Sequence, residues 1–348
     1  MKKIVKPMLL ICALVVICVL FVFVADFFSH SVKNHEPIIV DSFKLDKIPE
    51  TVHISDDDII FHYDDGLVQS VTFKDGAFEF NDMFTDVQMF TTDYDGYYLL
   101  NSLNEFKYVS DVNSSTKLLF LKALNEKAKS SPIVQMCSDD SYLGFTAVLF
   151  EDGSVMSDLN YVNIDTEGID EFDFLILENV AARKIYTGDY CILAVDKDNP
   201  ATVHYYFSIA NNDDLKGKYG YTTLGSPVVS IAASPFAQEI VLCEDGNIYT
   251  LNVHDATWGE PFKAEKNDDY SNVNSFFGSG IFLLALSDGK LYHEGYSFLN
   301  DEPDCKCLPY IYTPELIYES DSIKHYFALT NFGIIVILDD GTVKIIKN

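Results

Sequence analysis

Ile240–Thr250 reads IVLCEDGNIYT: an apolar run, an acidic residue followed by glycine, then a run alternating in polarity. The first run suits a buried strand and the second a half-buried one. Between them Asp245-Gly246 can supply the two positive-φ residues of a type I′ turn, so the stretch reads as a tight β-hairpin. The pattern returns as VTFKDGAFEF at Val71–Phe80, AVLFEDGSVMS at Ala147–Ser157, LLALSDGKLYH at Leu283–His293 and IVILDDGTVKI at Ile335–Ile345. Two weaker copies lie between these. Leu99–Val109 turns at Asn104-Glu105, and Ile192–Phe207 turns through a longer loop around Asp198-Asn199.

Seven turns, at positions 75, 104, 152, 198, 245, 288 and 340, recur with a mean spacing of ~44 residues. Units of that length built from period-two runs are propeller blades; helical solenoids carry period 3.6 instead. A further strand-like run precedes the hairpin by about ten residues in five units: Pro132–Ser138, Ala182–Tyr190, Pro227–Ser234, Asn272–Ser279 and Asp321–Ala328. Each unit therefore supplies at least three strands. Ser114–Ser131 contains KLLFLKALNEKAK and is expected to interrupt the pattern as a strand followed by a short helix. An open ring would leave exposed sheet edges, so a segment within Phe43–Ile60 is expected to pair with the last blade.

The order of strand, apolar strand, acidic-glycine turn and aromatic-containing strand resembles the repeats of the regulator-of-chromosome-condensation (RCC1-like) propeller family. Phe276–Tyr292, FFGSGIFLLALSDGKLY, and Val229–Tyr249, VSIAASPFAQEIVLCEDGNIY, carry the resemblance best, and it extends from about Ile59 onward. It implies an all-β, seven-bladed scaffold used as a protein-binding surface. The family's histidine before the apolar strand and its Trp-Gly after the aromatic strand are absent. Trp258-Gly259 lies nine residues beyond Tyr249, out of register. Nucleotide exchange on a small GTPase is therefore not carried over.

The N-terminus sets the expected compartment. Lys2, Lys3 and Lys6 precede an uncharged 18-residue stretch, Met8–Ala25. As a helix it would span about 27 Å, close to a bilayer's hydrocarbon thickness. A cleaved signal peptide is the competing reading, but Phe23 is too bulky for its place two residues before a cut after Ala25. We expect residues 1–28 to be cytoplasmic lysines and a single transmembrane signal-anchor, 29–42 a linker, and 43–348 the propeller, lying outside the cytoplasm.

The chain carries 24 Lys+Arg against 53 Asp+Glu, a formal charge of −29. Such a surface repels phosphate backbones, which excludes nucleic acid as a partner and favours basic ones. Beyond the apolar stretch there are five cysteines, an odd number. Cys191 and Cys243 lie in apolar runs and read as small buried hydrophobes, and Cys305-Lys306-Cys307 has no second ligand pair to make a metal site. Thr91–Gly96 comes nearest to a calcium loop but lacks its first acid. No nucleophile-elbow, zincin or Walker-type motif occurs. His204 and His293 fall on alternating runs and are expected at the surface or rim. Tyr97, Tyr98, Tyr205, Tyr206, Tyr249 and Tyr292 read as strand residues packed between blades. Tyr219, Tyr221, Tyr270, Tyr310 and Tyr312 sit among Gly, Asp and Pro and read as loop tyrosines, the candidate protein contacts.

The reading is a membrane-anchored, outward-facing propeller binding a protein or cell-surface ligand without catalysis, cofactor or metal. The alternatives are a propeller enzyme acting on glycans, which would need two facing carboxylates at the channel, and a structural subunit of an envelope complex.

Overall fold

The computed structural model describes residues 37–55, 58–74, 77–93, 96–110, 115–138, 144–161, 172–177, 180–188, 191–207, 218–233, 239–251, 262–279, 282–296, 310–329 and 333–347. The apolar stretch Met8–Ala25, Trp258-Gly259 and Cys305–Cys307 lie outside them. Among the described residues no helix is long and apolar enough to cross a membrane.

Seven antiparallel sheets form seven blades. The first strand, β1 (Ile38–Lys44), belongs to the last blade. Blade 1 is β2–β5 (Thr51–Ser55, Asp58–His62, Val68–Lys74, Ala77–Phe84), and blade 2 is β6–β8 (Val87–Asp93, Gly96–Asn101, Phe106–Ser110). Blade 3 is β9–β12 (Ile133–Ser138, Thr146–Phe150, Val155–Ser157, Leu175–Ile176). Blade 4 is β13–β16 (Ala182–Gly188, Cys191–Asp196, Thr202–Phe207, Lys218–Thr223). Blade 5 is β17–β20 (Val228–Ala233, Glu239–Cys243, Ile248–Leu251, Ala264–Asn267), and blade 6 is β21–β24 (Ser275–Ser279, Phe282–Ser287, Lys290–Tyr296, Tyr310–Glu319). Blade 7 joins β25–β27 (Ile323–Leu329, Gly333–Leu338, Thr342–Lys347) to β1. The upstream runs singled out in the sequence are the first, innermost strands of blades 3 to 7.

The core is divided, not single. Seven apolar clusters each sit between two neighbouring blades, and one of them joins blade 7 to blade 1. Alternation explains this. Side chains on one face of a strand pack toward the preceding blade and those on the other toward the next, so both faces of the middle strands are buried. In β14, Leu193 packs toward blade 5 and Ile192 toward blade 3, both fully buried.

Ring closure uses an earlier segment than expected. β1 pairs antiparallel with β27, from Ile38 opposite Lys347 to Lys44 opposite Thr342. It shares only Phe43 and Lys44 with the Phe43–Ile60 stretch and starts inside residues 29–42, read as linker. The rest of that stretch opens blade 1. A strand of Ile, Val and Phe beside the terminal β27 covers an otherwise bare edge.

Turn chemistry differs from the sequence expectation as well. Asp288-Gly289 has φ of 48° and 74°, a two-residue I′-type hairpin. The acidic-glycine turns at Gly66, Gly153, Gly246 and Gly341 are one residue longer, with only the glycine in the left-handed region. Gly246 (φ 75°) donates its N–H to Cys243 O at 2.9 Å, and the N–H of Cys243 returns to Asn247 O at 3.0 Å. Gly66, Gly153 and Gly341 repeat the first bond, and Asn104 (φ 57°) takes the glycine's place in blade 2. Blade 1's equivalent turn is thus Asp65-Gly66 and not Asp75-Gly76. The latter pair, outside the described residues, follows β4 and precedes β5, the third and fourth strands.

These turns also join the blades. The carbonyls of Gly66, Gly153, Gly246 and Gly341 accept N–H bonds from Val87, Ala182, Val273 and Leu45, each entering the next blade, at 2.8–3.0 Å. A side chain at Gly246 would place its Cβ 2.8 Å from Asn272 Cα.

Blade 2 has three strands. The stretch expected to be a strand and a short helix is helix throughout, α1 (Ser115–Ala128). Its Leu, Lys, Ala and Glu content favours that state, and Phe120 and Leu124, one turn apart, are fully buried. Asn125 bonds both the N–H and the carbonyl of Phe106, doing at one point what a fourth strand would do for β8.

Candidate functional site

Two polar clusters interrupt the apolar layers. The first is sealed. Lys117, one turn before Phe120 on the inner face of α1, reaches Asp93 at the end of β6 (2.7 Å) and Asp158 after β11 (2.8 Å), and it also donates to the Gly144 carbonyl. All three side chains are at least nine-tenths buried. Burial alone would lower the ammonium's pKa, but the two carboxylates outweigh it and raise the value above the ordinary lysine range. Asp93 also accepts the Gly96 N–H and Asp158 the Thr146 N–H. The cluster ties blade 2, the helix and blade 3 together, and its inaccessibility makes it structural. Sequence reading misses it, although a lone lysine three residues before Phe120 and seven before Leu124 on a helical projection marks a cation on a buried face.

The second cluster is open and lies on blade 4. His204 on β15 bonds Asp196 Oδ2 at the end of β14 (2.8 Å, through Nε2) and the Tyr219 hydroxyl on β16 (2.8 Å, through Nδ1). An ionised carboxylate only accepts, so Nε2 carries a proton, and in the neutral ring Nδ1 accepts the phenol hydrogen. Asp196 Oδ1 meanwhile accepts the N–H groups of Asp198 and Asn199, which folds the long turn recognised in the sequence. Burial opposes ionisation of Asp196, but the N–H groups and the His204 ring hold its pKa below the ordinary carboxylate value. The Tyr219 ring stacks on His204 with centroids 5.8 Å apart, and Tyr221, directly opposite His204 in the ladder, lies at 6.3 Å. Thr202 and Thr223 extend the polar row through a 2.9 Å hydroxyl contact.

Register explains the convergence. Asp196, Thr202, His204, Tyr219, Tyr221 and Thr223 share the face of blade 4 that looks toward blade 3. Blade 3's outer strand β12 has two residues where β16 has six, so the outer part of this face is not fully covered and both tyrosines keep partial exposure. Both imidazole nitrogens are engaged, and burial raises the Tyr219 phenol above its ordinary pKa. The arrangement fixes the Tyr219 ring, sets the Tyr221 ring beside it on a part-exposed polar face and keeps both imidazole nitrogens engaged.

The other sequence candidates fall elsewhere. Tyr219 and Tyr221 are strand residues and not loop residues, as are Tyr310 and Tyr312 on β24. Tyr270 precedes blade 6 but is only 4% exposed; it belongs to the layer between blades 5 and 6, where its hydroxyl bonds Glu294 at 2.8 Å. His204 and His293, expected at the surface, are 7% and 0% exposed, because their strands are covered on both faces. Tyr97, Tyr98, Tyr205, Tyr206, Tyr249 and Tyr292 lie on strands as expected, and Cys191 and Cys243 are buried, the Cys191 thiol donating to Glu239 at 3.6 Å. Among the described residues no group of three or more His, Cys, Asp or Glu side chains is arranged to hold a metal ion.

No protein-family model matches the chain, and no curated protein matches it in sequence. Solved structures do match. Yeast RCC1 (Prp20), in a structure bound to Kap60, superposes with a TM-score of 0.53 at 13% identity, covering 86% of this chain and 80% of its own. Kluyveromyces lactis Hsv2 gives 0.51 at 10% identity, covering 88% and 91%. BBS1N, solved in complex with ARL6DN, gives 0.50 at 8% identity, covering 89% and 96%. At these identities the likeness is one of fold. At that level the resemblance to the RCC1-like propeller, read from the repeats, holds.

Proposed function

We propose that this protein is a membrane-anchored, outward-facing propeller that binds another protein without catalysing a reaction. The observation that carries the binding reading is the blade 4 groove, where the Asp196–His204–Tyr219 chain fixes one tyrosine and sets Tyr221 beside it. Rigid, part-exposed tyrosines lose little entropy on binding and offer both apolar area and a hydroxyl, which is why they recur in contact hot spots. Similar propellers were solved as protein complexes, BBS1N with ARL6DN and RCC1 with Kap60. The formal charge of −29 favours a basic partner and faster encounter with it. Lys2, Lys3 and Lys6 ahead of Met8–Ala25 support an anchor with the propeller outside the cytoplasm.

A photo-crosslinking residue at Tyr221 of the full chain, illuminated in its own cells, tests this. A discrete protein adduct is expected, lost when Tyr219→Ala is added and absent with the crosslinker at Lys266 on blade 5. The same smear from both positions would overturn the assignment of this groove. Carbonate-resistant retention in the membrane pellet checks the anchor separately.

A further inference from the structure

The outer edge of blade 7 combines exposed isoleucines with lysines. Its outermost strand begins with Ile38 and Ile39, which are 55% and 50% exposed. Opposite Ile38 in the ladder stands Lys347, and opposite Ser42 stands Lys344, whose ammonium donates to the Ser42 hydroxyl at 3.1 Å. Lys44 closes the strand, but its ammonium is paired with Asp340 in the turn before β27 at 3.7 Å. β1 and β27 together hold three lysines and one acid, Asp41, with Asp339 and Asp340 in the turn before β27, so Lys344 and Lys347 are the cations of this edge not paired with Asp340.

This edge is also the part of the propeller that the N-terminal segment reaches first. Residues 26–37, twelve in all, separate the end of the apolar stretch from Ile38. Fully extended they span about 40 Å, and as a flexible coil about 20 Å. An anchored propeller thus holds its blade 7 rim near the bilayer at high effective concentration. The acidic remainder of the surface is pushed away by anionic headgroups, while an edge of lysines and exposed isoleucines is drawn to them.

We propose that the outer edge of blade 7, comprising Ile38, Ile39, Lys344 and Lys347, rests on the membrane surface against anionic phospholipid headgroups. The contact orients the ring so that the blade 4 groove, across the ring, faces away from the bilayer. This inference rests on the anchor reading in the proposed function.

The test uses the full chain reconstituted into vesicles of phosphatidylcholine and phosphatidylglycerol containing brominated lipid. A tryptophan is introduced as Ile39→Trp in a Trp258→Phe background, with Leu175→Trp on blade 3 as the distant control. Flotation with the vesicles reports the anchor by itself. In the floated protein, Ile39→Trp emission should be quenched at least twofold relative to bromine-free vesicles, and Leu175→Trp should be unchanged. Adding Lys344→Glu and Lys347→Glu should remove most of the quenching without releasing the protein. Ile38→Trp provides the same readout should Ile39→Trp fold poorly. Protein that floats with the two tryptophans equally unquenched overturns the docked edge and leaves the anchor standing. Equal quenching in pure phosphatidylcholine overturns the role of the lysines. Protein that does not float overturns the anchor and the docking with it.

Discussion

Replacing Gly246 with valine tests the joint between blades 5 and 6. Gly246 has a φ of 75°, where a β-branched residue is strained by about 1–3 kcal/mol. Strain is only the first contribution. The new Cβ would lie 2.8 Å from Asn272 Cα and 3.2 Å from Asn272 C and Val273 N, all main-chain atoms that cannot rotate aside. Relieving the overlap means moving the entry to blade 6, and with it the 3.0 Å bond from Val273 N–H to the Gly246 carbonyl, worth about 0.5–1.5 kcal/mol net. Together the loss is about 2–4 kcal/mol, which for a domain of this size lowers Tm by roughly 3–6 °C. Gly225 is the matched control: its φ is not in the left-handed region, and the nearest atom to a built Cβ is the Tyr249 hydroxyl at 3.8 Å. Thermal melts of the detergent-solubilised full chain should show Gly246→Val well below the parent and Gly225→Ala within about 0.5 kcal/mol of it. Asn104→Gly should be neutral or better, since Asn104 already occupies the same left-handed position. If Gly246→Val melts with the parent, the turn does not bear on the next blade and the account of blade joining is wrong.

Three further outcomes follow from the packing. Lys117→Met leaves Asp93 and Asp158 buried without their cation and should cost about 3–5 kcal/mol in urea unfolding, with partial recovery when Asp93→Asn and Asp158→Asn are added; equal loss in single and triple variants would contradict the ion-cluster account. His53, between blades 1 and 2, is pushed by burial to a pKa of about 4, and burial also lowers His325, which bonds the Pro49 carbonyl across the closing seam. Both fold as neutral rings, so stability should be level above about pH 6.5 and fall as pH drops from there toward 4, because the unfolded chain takes up the protons first; His53→Gln should flatten that slope in pH-dependent melts, and an unchanged slope would refute the assignment. Removing residues 38–44 bares the edge of β27 and should destabilise the ring far more than removing residues 29–36, a comparison that equal urea midpoints would sink.

The repeat is legible in the sequence because it is local. A buried strand, an acidic-glycine turn and an alternating strand are set by neighbours a few residues apart, and five full copies and two weak ones mark seven blades along the chain. The inner strands of blades 3 to 7 are legible for the same reason. So is the long turn at Asp198-Asn199, whose Asp196 cap is itself a local bond. What composition and spacing do not settle is the alignment of blade 1. Asp65-Gly66 and Asp75-Gly76 are equally good turns in sequence, and only ladder pairing shows which of them joins the second strand to the third.

The remaining decisions belong to contacts between distant segments. Three hundred residues separate Lys44 from Lys344 on the closing blade, and no periodicity says which early segment will cover the last edge. Lys117, Asp93 and Asp158 lie 24 to 65 residues apart in sequence and meet only because α1 takes the place of a fourth strand. Tyr219 and Tyr221 stand out in the sequence as tyrosines among glycines, but the partner His204 and the part-covered face beside the short β12 follow from register and from how two blades stack. Local sequence determines hairpins, because a turn and its flanking strands stabilise one another directly. The site and the closure are decided by tertiary structure, because they depend on which faces the completed ring leaves covered.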